Sequence, residues 1–166
     1  MIASSTPTAS PDQTPPRAKI LVVEDQVTFA SFTERILHEA GYATRWTDAS
    51  EVALDYLKSG SPDQRPFDLV VLDILALRRV PNGPARFPEG LRLLRQIRTE
   101  ASLMKIPVIG ASIFGARDAK ETWIELFHDE GGTAFFEQYY DPEEFLKTVA
   151  DLLKSKKEGR IDFRVC

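Results

Sequence analysis

The sequence is poor in cysteine and histidine, carries no block of one charge, and has no long apolar run. Its one cysteine, Cys166, cannot close a disulfide within the chain, so nothing points to an oxidising compartment. No stretch is apolar over the length needed to cross a bilayer. The N-terminal residues lack the charged start and apolar middle of a secretion signal. The expected location is therefore the cytoplasm, with no membrane partner. The net charge is −4 without a basic cluster, so nucleic acid is not an expected partner. His38 and His128 fall on separate predicted helices, and nothing pairs them with a metal set.

What is present fits one folded domain. The 166 residues are 43% hydrophobic, enough for a real core. Residues 1–17, rich in Ser, Thr, Ala and Pro, offer too little apolar surface to offset the entropy of ordering and read as a disordered leader. The folded part is expected over 18–155, with a tail at 156–166. In that tail, 160–165 alternates apolar and polar residues; it caps the domain, pairs with a partner or frays.

Ile20-Leu21-Val22-Val23 is a continuous β-branched run, as in a strand buried on both faces, and Phe67 to Leu72 is expected as the third strand, likewise buried. Further strands are expected at 42–47, 106–111 and 133–137. Helices are expected from Val27 to Ala40, from Asp48 to about Lys58, from Glu89 to about Ala101, from Asp118 to Glu130, and from Asp141 to about Ser155. Asp141-Pro142-Glu143-Glu144 starts the last helix with a cap, a proline and acids in the first turn. Five strand–helix alternations imply an α/β fold, a doubly wound five-stranded parallel sheet whose ligands bind beyond the carboxyl ends of the strands.

At those ends the sequence places Glu24 and Asp25 after strand 1, Asp73 after strand 3, Ser112 after strand 4, and Glu137-Gln138 after strand 5. If strands 1 and 3 are neighbours, three carboxylates converge. Their mutual repulsion calls for a cation, and an all-oxygen ligand set suits Mg²⁺.

Four segments in order resemble the response-regulator receiver family of two-component signalling: 19–25 (KILVVED), 68–73 (DLVVLD), 106–112 (IPVIGAS) and 141–145 (DPEEF). The resemblance covers about residues 18–155 and implies the flavodoxin-like (βα)5 receiver fold. It implies that Asp73 is the phospho-acceptor and that Asp25, with Glu24 acting partly through water, binds Mg²⁺. The backbone carbonyl of Leu75 would complete the metal site. Ser112 would be the hydroxyl that moves toward a bound phosphoryl group, and Phe135 the aromatic whose inward swing reports phosphorylation. The implied partners are a histidine kinase or phosphotransfer protein and a downstream protein target, with a homodimer possible.

The chain departs from the family twice. Gln138 stands where the family has a lysine and Tyr139 where it has a proline, and 131–144 contains no lysine. A lysine gives a phosphoryl group a charge-assisted bond worth roughly 1.5–3 kcal/mol, against about 0.5–1.5 for the amide of Gln138. The second departure is the loop from Ile74 to Pro88, longer than the family's if Gly90 matches the family glycine. It carries Arg78, Arg79 and Arg86, any of which either replaces the missing charge or is a solvated loop residue. Tyr139 and Tyr140 are either exposed anchors for a partner or packed aromatics.

The leading expectation is a stand-alone receiver whose output lies in another protein. The competing one is a phosphorylation-independent binding module of the same fold. A hydrolase or flavin protein is disfavoured, because no glycine-rich phosphate loop follows strand 1 and no second aspartate lies two residues after Asp25 or Asp73.

Overall fold

The computed structural model describes residues 16–59, 66–75, 88–114 and 120–161. Arg78, Arg79 and Arg86, residues 1–15 of the expected leader and 162–166 of the expected tail lie outside the described residues. The elements alternate as expected: β1 (Lys19–Val23), α1 (Val27–Glu39), β2 (Ala43–Thr47), α2 (Ser50–Ser59), β3 (Leu69–Leu72), α3 (Glu89–Thr99), β4 (Val108–Ser112), α4 (Lys120–Asp129), β5 (Ala134–Glu137) and α5 (Pro142–Lys157).

All five strands are parallel, in the order β2-β1-β3-β4-β5. The order reverses between β1 and β3. The central strands β1, β3 and β4 are buried along their whole length, which is why they read as unbroken apolar runs. The edges β2 and β5 are only partly covered.

Alternate side chains of each strand feed two cores. Leu21, Val23, Val70, Leu72 and Val108 pack with Ala53 and Leu57 of α2, Leu91, Leu94 and Ile97 of α3, and Phe127 of α4. Ile20, Val22, Leu69, Val71, Ile109 and Ala111 pack with Ile36 and Leu37 of α1 and with Phe145, Val149 and Leu153 of α5. The sheet is thus doubly wound.

Local chemistry sets the ends. Asp141 caps α5 by accepting from the Glu144 N–H at 2.9 Å, and the helix runs past the expected Ser155 to Lys157. Gly41 ends α1 with φ +82°, a conformation that favours glycine.

β4 begins at Val108 rather than at the expected Ile106. Pro107 has no N–H to offer the ladder, and the Ile106 carbonyl accepts from Arg98 Nη1 at 2.9 Å. Arg98 is buried; its Nε and Nη2 also donate to the Gly131 carbonyl, at 3.0 and 2.9 Å. Desolvation pulls its guanidinium down to about 10, which leaves it charged at neutral pH.

Gly90, on the first turn of α3, lies against the backbone that carries Asp73. A Cβ there would sit 2.1 Å from the Asp73 carbonyl oxygen and 2.6 Å from the Ile74 Cα. Neither is a side-chain end that could yield. Gly90→Ala is expected to cost about 1–3 kcal/mol or more through overpacking. Urea denaturation checks this; an unchanged midpoint would contradict it.

Candidate functional site

The site forms where the sheet order reverses. Val23 pairs with Leu72, so the residues that follow them leave the sheet side by side. The Asp73 N–H donates to the Val23 carbonyl at 2.9 Å, and the Glu24 N–H to the Thr47 carbonyl at 3.1 Å. Glu24, Asp25 and Asp73 each offer a carboxylate oxygen, and these lie within 4.8 Å of one another. Glu24 and Asp73 are buried and Asp25 is exposed.

Asp73 is gripped from the β4 side. Ser112 Oγ donates to Asp73 Oδ1 through a short hydrogen bond. The Leu75 N–H donates to the same Oδ1 at 3.0 Å. Ser112 Oγ also accepts from the Ile74 and Leu75 N–H groups, at 3.0 and 3.3 Å. The turn after β3 and the hydroxyl of β4 are therefore one network.

Glu24 is held at three points. Its Oε1 accepts from the Gln26 N–H at 3.0 Å, its Oε2 from Gln138 Nε2 at 2.8 Å, and its main-chain carbonyl from Trp46 Nε1 at 2.9 Å. Burial, and then the negative charge of Asp73, pushes its carboxyl up to about 8. The sequence reading missed the roles of Trp46 and Gln26. The register of β1 on β2, which no sequence pattern reports, brings Trp46 opposite Val22, two residues before Glu24.

Gln138 is only 7% exposed. Its N–H donates to the Ser112 carbonyl at 3.0 Å. Its side-chain Oε1 is buried and has no hydrogen-bond partner among the described residues. The sequence put Gln138 in the pocket, and the structure adds that its amide donates to Glu24.

Phe135 stands apart from the carboxylates. Its half-buried ring lies 5.8 Å from Phe127 and 5.7 Å from Phe114, centroid to centroid. It fills space left by Gly110, where a Cβ would come 2.7 Å from its Cδ2.

The two tyrosines separate. Tyr139 is 70% exposed, has φ +64° and lies 4.7 Å from the Phe29 ring. Tyr140 is not an exposed anchor. It is 8% exposed, its ring stacks on Phe145 at 4.4 Å and its hydroxyl lies 2.6 Å from Thr33 Oγ1. The reason is the left-handed turn at Tyr139, which sends one ring outward and the next into the core.

The donor set is all oxygen, and two of the three carboxylates are buried together. That arrangement fits a hard divalent cation, which would relieve the repulsion from Asp73 that adds to the effect of burial on Glu24. No helix of the described residues is long and apolar enough to cross a membrane.

The family model described as "Response regulator receiver domain" matches residues 20–150. No curated protein matches the chain. Among solved structures, the chain is similar to NtrX from Brucella abortus in complex with ADP, at 25% identity and a TM-score of 0.64, over 86% of this chain and 28% of that one. The chain thus spans little more than a quarter of NtrX. It is also similar to the signal receiver domain of a signal transduction histidine kinase from Syntrophus aciditrophicus, at 25% identity and a TM-score of 0.64, over 83% of this chain and 91% of that one. A putative response regulator from Chloroflexus aurantiacus is 23% identical, with a TM-score of 0.64, over 84% of this chain and 99% of its own, and shows the shared fold.

Glu24 gives the cation-free protein a defined pH dependence. A carboxyl raised from 4.5 to about 8 contributes stability that is full below 4.5 and is lost as pH rises through 8. Glu24→Gln keeps the shape and removes that titration. Its stability relative to the parent is expected to improve steadily between pH 4.5 and about 8. Urea midpoints in chelator measure the difference; a gap constant with pH would refute it.

Proposed function

The chain belongs to the response regulator receiver family, and from that premise we propose that it accepts a phosphoryl group on Asp73 from a histidine kinase or phosphotransfer protein. The observation that carries this reading is the junction of β1 and β3, where Asp73 lies against Ser112 with Glu24 and Asp25 beside it. An Asp73 carboxylate oxygen forms the bond to phosphorus as the phosphorus–nitrogen bond of a phosphohistidine breaks, and the imidazole leaves with the electron pair. The product is an acyl phosphate.

Mg²⁺ would be held by Asp25 and Asp73, with the Leu75 carbonyl and with Glu24 partly through water. It would neutralise charge on the transferred group; the remainder of the catalysis is positioning and electrostatics. The Ser112 hydroxyl, already bonded to Asp73, sits where it can turn toward a phosphoryl oxygen. Phe135 is the aromatic we assign to the readout, through its packing on Phe127 of α4. The signal would leave through protein–protein contacts, with Tyr139 exposed beside α1 as one contact, and the setting would be the cytoplasm.

A second reading has one observation in its favour. Gln138 replaces the family's lysine and donates to Glu24. A phosphorylation-independent binding module of this fold would need no cation there.

Incubation with Mg²⁺ and a small acyl phosphate, followed by mass spectrometry, separates the two. One added phosphoryl group is expected in the parent, none in Asp73→Asn, and none in chelator. Beryllium fluoride, read by the same Asp73 dependence, covers an adduct too short-lived to trap. Failure of both in the parent would favour the binding module.

A further inference from the structure

Gln138 is built into the pocket more firmly than a vestige of a lost lysine would be. Its main chain is fixed to Ser112 of β4, and the turn that follows is anchored by Tyr140 on Thr33. The side chain is buried, and its Nε2 reaches across to Glu24 on β1. The same amide carbon carries Oε1, an acceptor buried at the acidic cluster with no partner among the described residues. A buried acceptor without a donor or a cation is a costly thing to keep.

Resting on the receiver reading above, we infer that Gln138 has moved from the phosphoryl half of the site to the cation half. It is a positioning residue: its N–H₂ holds Glu24 in place, and its Oε1 offers a neutral oxygen to the hydrated divalent ion. An amide can do both because it carries donors and an acceptor on one carbon. A lysine could hold Glu24 but has no oxygen to offer the ion. Its ammonium has donors only, and next to Glu24 it would neutralise the charge that attracts the ion and repel the ion itself. Trp46 and Gln26 complete the support around Glu24, so the carboxylate is restrained at both oxygens and at its own peptide. Partners that orient a metal-binding carboxylate typically change metal affinity by about 10–100-fold when removed.

The experiment is a Mn²⁺ titration of the full chain, with free Mn²⁺ read by electron paramagnetic resonance and Mg²⁺ as competitor. The variants are Gln138→Met, which keeps the volume and removes both polar atoms, Gln138→Lys, and Asp25→Asn, with circular dichroism to establish folding. The parent is expected to bind one ion that Mg²⁺ displaces and that Asp25→Asn loses. Gln138→Met is expected to weaken the Kd about tenfold, and Gln138→Lys to weaken it further. Parent-like affinity in both Gln138 variants, with binding lost in Asp25→Asn, would overturn the inference and leave the receiver reading standing. A parent that binds no better than Asp25→Asn would overturn both.

Discussion

Two carboxylates buried side by side are the constraint on which the site depends. Glu24 and Asp73 leave paired strands at adjacent positions, so the sheet itself enforces their closeness. Water cannot screen them well, because both are buried. The protein answers with directed donors. Ser112 and the Leu75 N–H serve Asp73, and Gln26 and Gln138 serve Glu24. Burial still outweighs those donors at Glu24, whose carboxyl remains raised. The part of the remaining unfavourable energy due to repulsion between the two carboxylates is what a cation bound there would relieve.

The rest of the fold keeps that pair in place. The apolar faces of β1 and β3 fix the strands from both sides, through α1 and α5 on one face and α2, α3 and α4 on the other. Gly90 lets α3 start directly against the Asp73 carbonyl, which sets the depth of the acidic turn. Far from the pocket, Arg98 ties the end of α3 to the residues before β4 and to the turn before β5. It does for those chain segments what the ladder does within the sheet.

Much of this was legible in the sequence, for reasons that differ by residue. Val22-Val23 and Val70-Val71 announced buried strands because both their faces are covered. The acids directly after them were legible as a cluster because a parallel sheet brings strand ends together. Asp141-Pro142-Glu143-Glu144 was legible because capping is local. The partner of Gln138 was not, because its amide meets a residue 114 positions away and no local rule reports that. Tyr139 and Tyr140 could not be told apart either. Which ring faces outward depends on a single positive φ at a residue that usually avoids one. Trp46 was hidden for a similar reason: its indole serves the site from an edge strand whose register no pattern fixed.

The absent side chain at Gly110 has a mechanical consequence. Phe127 and Phe135 share the space a larger residue would occupy, and the two rings meet edge to face. Phe135 cannot leave that space without opening a void beside Phe127, and voids left by a lost phenyl ring cost on the order of 3–5 kcal/mol. The position of the Phe135 ring on β5 is therefore tied to the packing of Phe127 on α4.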